Sequence, residues 1–280
     1  MPAEKRRKKM DARPIGVFDS GLGGLTTVKK LKELMPEESI IYLGDTARIP
    51  YGSRSRDTII KYARQDAAFL MQYDIKAMVI ACNTVCSSAP VSEIMGGSRS
   101  FPVYEVVSAP ARSAAQKTKN RRIGVIGTKA TIRSGAYENA LRRLIPDVHI
   151  LTAACPLFVP LIEDGFISRD DVVALNIAER YLSPLRASGI DTLLLGCTHY
   201  PLLSGVISQV MGSGVTLIDS GEETAKLVAA DLSERGILSS GSRSPEIRFF
   251  VTDSILGFEE LASGFLGSDV SGMVGQATLE

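Results

Sequence analysis

Short apolar, β-branched runs recur along this chain at positions 15–18, 39–43, 77–81, 103–107, 123–126, 148–151, 192–195, 215–218 and 247–251. Between them lie stretches with helical spacing, at 25–35, 58–73, 137–144, 172–188 and 222–236, several of which end near Gly or Pro. A strand that is apolar at nearly every position, without polar alternation, is one covered on both faces, as in parallel sheets packed between helices. The expected fold class is therefore α/β, with open, mostly parallel sheets flanked by helices.

The pattern repeats once. PIGVFDSGLGG and RIGVIGTKAT both pass from Ile-Gly-Val into a polar turn, and roughly 70 residues after each comes AMVIACNTVC or TLLLGCTHYP, an apolar strand ending in Cys followed by Asn-Thr or Thr-His. Two similar lobes with a site between them are the economical explanation. The expected division is a basic tail at 1–13, a first lobe at 14–107 plus 214–267, a second lobe at 108–213, and a loose Gly/Ser-rich tail at 268–280. Open α/β sheets bind ligands at the carboxyl ends of their strands, where both cysteine turns fall.

Bulk properties exclude several function classes. With 280 residues, 45% hydrophobic, 22% charged and net charge +1, the chain has neither the basic excess of a nucleic-acid binder nor an apolar run near the roughly 20 residues of a membrane span. The basic start, Lys5 to Lys9, is followed by no hydrophobic segment of the kind a secretory signal requires, so a cytoplasmic location is expected. Cys82, Cys86, Cys155 and Cys197 lack the paired spacing of zinc sites, and no dinucleotide, haem or clustered metal motif is present, while a pyridoxal lysine has no local signature and stays open.

The chemistry-bearing residues sit at the turns. Cys82 and Cys197 each stand where a buried strand gives way to the start of a helix, a position that stabilises a thiolate and suits proton transfer in either direction. His199, two residues past Cys197, adds an imidazole that relays a proton or polarises a group. The DSGLGG turn supplies Asp19 and exposed amides, and GDTARIPYG supplies further amides and the Tyr51 phenol at the same edge. Thr128, in GTKAT, occupies the matching position of the second half. His149, in a strand-like run, reads as a packing residue, and Cys86 as a buried small side chain, with tuning of Cys82 one helical turn away as its alternative.

With DSGLGG, GDTARIPYG, ACNT and GCTHYP in this order over about 14–266, the chain resembles the bacterial glutamate racemases of the cofactor-independent aspartate/glutamate racemase superfamily. The resemblance implies that Cys82 and Cys197 are the acid/base pair on opposite faces of the substrate α-carbon, interconverting L- and D-glutamate for peptidoglycan synthesis. Asp19, His199 and Glu163 then match auxiliary polar residues beside the thiols. Ser20, Tyr51, Gly52, Asn83, Thr84, Thr128 and Thr198, with Asp19 and His199, match positions that hold the amino acid. A homodimer without metal, pyridoxal phosphate, membrane or nucleic acid is also implied. An aspartate or broad-specificity racemase, an inactive two-lobed binding module and a thiol redox protein are the competing readings. Val85-Cys86, where small residues are expected after Asn83-Thr84, departs from the family pattern.

Overall fold

A computed structural model describes residues 11–97, 100–241 and 244–279. The basic cluster Lys5 to Lys9 lies outside them. Among the described residues ten strands form two sheets: β1 (Ile15–Asp19), β2 (Ile40–Gly44), β3 (Ala77–Ile80), β4 (Val103–Glu105), β9 (Ile247–Val251) and β10 (Val274–Gln276) in the first, and β5 (Arg122–Gly127), β6 (His149–Ala154), β7 (Thr192–Gly196) and β8 (Thr216–Asp219) in the second. Every strand pairing is parallel. β1, β2, β3 and β7 are buried at every position, as their unbroken apolar runs require.

Strand order fixes the place of the site. The first sheet runs β10-β9-β2-β1-β3-β4 and the second β6-β5-β7-β8. In each, the chain leaves the central strand (β1 or β5) for a neighbour on one side and later returns on the other side (β3 or β7), which makes a topological switch point. Asp19 ends β1 with Ser20 after it, Cys82 follows β3, and Thr128 and Cys197 follow β5 and β7. The sequence echo therefore marks equivalent switch points.

Two expected boundaries need correction. The strand at 216–219 was assigned to the first lobe, but β8 pairs with β7 in the second sheet. It follows the helix Ser204–Met211 directly from β7, and a β-α-β crossover places the next parallel strand beside the last. The expected loose tail at 268–280 contains β10, paired with β9, and buries Val270 and Ala277. Three residues of strand carry too little pattern to stand out among Gly and Ser. The helix Ser220–Glu234, capped by Asp219 through the amides of Gly221 and Glu222, then packs on Leu25–Leu34 of one lobe and Ser108–Lys117 of the other.

At the far end of β3 from the site, Lys76 is buried. Its ammonium donates to the carbonyls of Asp11 (2.6 Å) and Ile237 (2.9 Å) and lies 2.6 Å from Glu38, whose other oxygen accepts from the Ser239 amide. Removing one partner of such a pair leaves an uncompensated buried charge. Lys76→Met should lower stability by about 3–5 kcal/mol in a urea melt. Adding Glu38→Leu should restore part of the loss, and an unchanged melt in the single variant would contradict the account.

Candidate active site

A cavity of about 460 Å³ opens between the carboxyl ends of the two sheets. Ser20, Tyr51, Gly52, Cys82, Asn83 and Thr84 line it from the first lobe, and Thr128, Glu163, Cys197, Thr198 and His199 from the second. Both thiols are buried and unbridged. Asp19 is the exception among the expected site residues: it does not line the cavity, and stands one residue behind Ser20 with Oδ2 accepting from the Gly24 amide at 2.8 Å. Its Oδ1 is buried with no hydrogen-bond partner among the described residues.

The turns meet because glycine lets them. A Cβ on Gly23 would fall 2.1 Å from Thr198 Oγ1 and 2.4 Å from His199 Nδ1, well inside contact distance. The DSGLGG turn of the first lobe therefore lies directly against the Thr198-His199 turn of the second. Thr26 Oγ1 secures this contact by donating to the Thr198 carbonyl at 2.9 Å. On the other side Thr84 Oγ1 and Thr128 Oγ1 share a hydrogen bond at 3.1 Å. Asn83 closes a third link, accepting from Tyr137 through Oδ1 and donating to Ser220 at 3.1 Å through Nδ2. Those bonds leave Asn83 one N–H and one lone pair for a ligand.

The two thiols sit in different electrostatic settings. Cys82 begins the short helix Asn83–Ser88 and donates to Ser20 Oγ at 3.4 Å. Burial, then the charge of Asp19, pushes its thiol well above the ordinary range, so it holds its proton. Beside Cys197, His199 Nε2 lies 2.9 Å from Glu163 Oε1. Burial alone would lower the imidazole's pKa, but hydrogen bonds and negative charge from Cys197 and Glu163 outweigh it and raise His199 to about 10. The first thiol thus faces a carboxylate and the second a cation.

Other residues fall where the sequence did not put them. The Tyr51 phenol faces away from the cavity towards Asp45 and Asp66, so this residue offers the cavity its backbone and ring. Cys86 Sγ donates to the Ile80 carbonyl at 3.3 Å and lines a separate cavity with Glu105 and Arg143. His149 is an exposed residue at the start of β6. Sequence reasoning missed Lys129 at the rim and the apolar wall of Pro156, Val159 and Pro160. The signal for that wall was available: two prolines frame an apolar segment just ahead of Glu163.

Comparison with known proteins follows the same outline. A family model described as Asp/Glu/hydantoin racemase matches residues 15–228. A glutamate racemase of Geobacter metallireducens is 47% identical over 271 residues, covering 97% of this chain and 98% of that protein. Among solved structures, glutamate racemase RacE1 from Bacillus anthracis superposes with a TM-score of 0.89 at 39% identity, covering 98% of this chain and 99% of the other. The Francisella tularensis glutamate racemase, solved in complex with D-glutamate, gives 0.88 at 40% identity, covering 97% and 99%.

The folded pKa of His199 stands above its ordinary value of 6.5, so the protonated ring contributes stability that is complete below about pH 6.5 and lost as pH rises through about 10. NMR titration of the imidazole should show a doubly protonated ring at neutral pH and a midpoint near 10. A midpoint near 6.5 would contradict the ion-pair geometry.

Proposed function

Because the chain belongs to the Asp/Glu/hydantoin racemase family, we propose that it interconverts L- and D-glutamate by two-base proton transfer between Cys82 and Cys197, without a cofactor. The observation that carries this reading is that two buried thiols, one from each lobe, line one cavity. A stereocentre is inverted when a proton leaves one face and another arrives on the opposite face, and two bases from opposing lobes supply that arrangement.

In one direction Cys197, beside the protonated His199, is the base, and the Cys82 thiol is the acid. The thiolate takes the α-proton; its S–H bond forms as the C–H bond breaks, and the electron pair passes into the substrate carboxylate. Cys82 then delivers its proton to the other face and is left as the thiolate. Each turnover thus moves one proton onto Cys197 and one off Cys82, and the opposite enantiomer reverses both transfers. An α-proton is far less acidic than a thiol, so rate depends on a closed, water-poor cavity and on donors aimed at the developing carboxylate charge. The Ser20 amide and the hydroxyls of Thr84, Thr128 and Thr198 serve that purpose, and the Gly52 amide holds the amino acid throughout. Glu163 holds His199, and Asp19 keeps Cys82 protonated until substrate arrives.

The same reading places the enzyme in the cytoplasm, supplying D-glutamate to peptidoglycan; among the described residues no helix is long and apolar enough to cross a membrane. It also makes the protein a homodimer. Phe166, Ile167, Val172 and Val173, all exposed on the segment after Glu163, supply apolar surface for a second copy, with Val172 69% exposed.

In deuterated water, either glutamate enantiomer should gain deuterium at the α-carbon and lose its circular dichroism without added cofactor. Exchange of aspartate but not glutamate would change the substrate; no exchange with any amino acid would end the racemase reading. Cys82→Ala and Cys197→Ala should each abolish racemisation, and full turnover in either variant would refute the two-base assignment. Sedimentation should give a dimer, and replacing Val172 and Phe166 with Asp should give monomers.

A further inference from the structure

The loop at 44–53 brings Gly52 to the cavity, yet the side chains that hold this loop lie outside it. Arg48 makes four contacts there: Nε to Asp45 at 2.5 Å, one terminal nitrogen to Gln65 at 2.6 Å, the other to Asp66 at 3.0 Å, and its guanidinium 4.1 Å above the Tyr62 ring. Tyr62, Gln65 and Asp66 stand at spacings of three and four on the helix Arg56–Met71, so one helical face carries all three. Tyr51 packs its ring 5.5 Å from Tyr62 and sets its hydroxyl between Asp45 and Asp66. From the other direction Thr252, just past β9, donates to Asp45 Oδ1 at 2.9 Å and accepts from the Ala47 amide at 2.9 Å.

Hydrogen-bond arithmetic settles where the protons are. The Tyr51 hydroxyl has a single hydrogen, but it lies within bonding distance of two carboxyl groups, Asp45 and, at 3.1 Å, Asp66. One of those groups must donate. Both carboxyls accept from Arg48, but Asp45 also accepts from Thr252, so Tyr51 gives Asp45 the phenol proton. Asp66 is the donor, a neutral acid whose proton goes to the Tyr51 oxygen. Burial, then the charge of Asp45, pushes its carboxyl well above the usual range, in agreement. The cluster thereby closes on itself, with Asp45 and Asp66 fully buried.

We infer that Asp66, a residue that does not line the cavity, is a positioning residue for the site, holding Arg48 and Tyr51 so that Gly52 meets both the ligand and the second lobe. A Cβ on Gly52 would stand 3.1 Å from the Thr128 Cβ, so the loop is already pressed against the opposite turn and tolerates little displacement. Asp66 acts through its acid proton as a hydrogen-bond donor rather than as a charge. The same helix also packs against Asn83–Ser88, which begins at Cys82, so the strut and the first thiol share one support. The inference rests on the racemase reading for its kinetic readout and on the loop itself for its structural one.

On the racemase reading the backbone of this loop, which lines the cavity, holds the amino acid before and during reaction, so loosening it removes binding common to both states and raises KM more than it lowers kcat. Asp66→Leu should raise KM for glutamate roughly 10- to 100-fold, with kcat within about threefold of the parent. It should also speed amide hydrogen exchange at residues 46–53 relative to the rest of the chain. Asp66→Asn, whose amide keeps one acceptor for Arg48 and one donor for Tyr51, should bring KM and exchange back towards the parent. Should Asp66→Leu not fold, Tyr51→Phe removes the shared hydroxyl while keeping the ring against Tyr62, and the same KM rise and loop exchange are expected. Parent KM with parent exchange in these variants would overturn the inference, as would an Asp66→Asn enzyme as impaired as Asp66→Leu. If the parent exchanges no amino-acid α-hydrogen, the racemase reading fails, while loop exchange still decides whether Asp66 holds the loop.

Discussion

The missing side chain at Gly23 is the constraint on which the site depends. Any Cβ there would collide with Thr198 and His199, so the two turns touch only because that position is bare. Once they touch, the Thr26 hydroxyl bonds the Thr198 carbonyl, and the links from Thr84 to Thr128 and from Asn83 to Tyr137 close the remaining gap between lobes. Each switch point by itself is a shallow crevice at the end of a sheet. Apposed, they form one cavity lined by a thiol from either side.

That apposition explains how much of the site was legible in sequence. The echo between PIGVFDSGLGG and RIGVIGTKAT, and between ACNT and GCTH, read correctly as two equivalent α/β units, because strand-to-turn transitions are local and their apolar runs are buried in the sheet. Cys82 and Cys197 could be paired by analogy of position alone. The glutamate assignment came from the resemblance carried by four motifs, since no spacing names a substrate. What local pattern did not reveal was sheet membership: β8 joins β7 and β10 joins β9 through contacts that sequence order leaves open.

The direction of side chains was equally hidden. Tyr51 sits in a motif that lines the cavity, yet its phenol is claimed by Asp45 and Asp66, and the latter lies 15 residues further on in a helix whose polar face looks like ordinary solvated surface in sequence. Asp19, expected to hold the amino acid and to stand beside the thiols, is absent from the cavity lining, and its charge bears on Cys82. Both are tertiary outcomes, decided by which groups the packed lobes leave to satisfy one another. The site is asymmetric as well: burial, with the charge of Asp19, keeps one thiol protonated, while an imidazolium held by Glu163 accompanies the other.

On the proposed two-base reading, a reaction that runs in both directions uses two unlike acid/base centres, and the substrate is common to both only if it lies between them. A crystal structure of the complex with D-glutamate tests this most directly. The account predicts the α-carbon between the two sulfurs, with Cys82 on one face, Cys197 on the other, and Gly52 against the bound amino acid. Both sulfurs on one face, or an α-carbon in contact with only one of them, would contradict it.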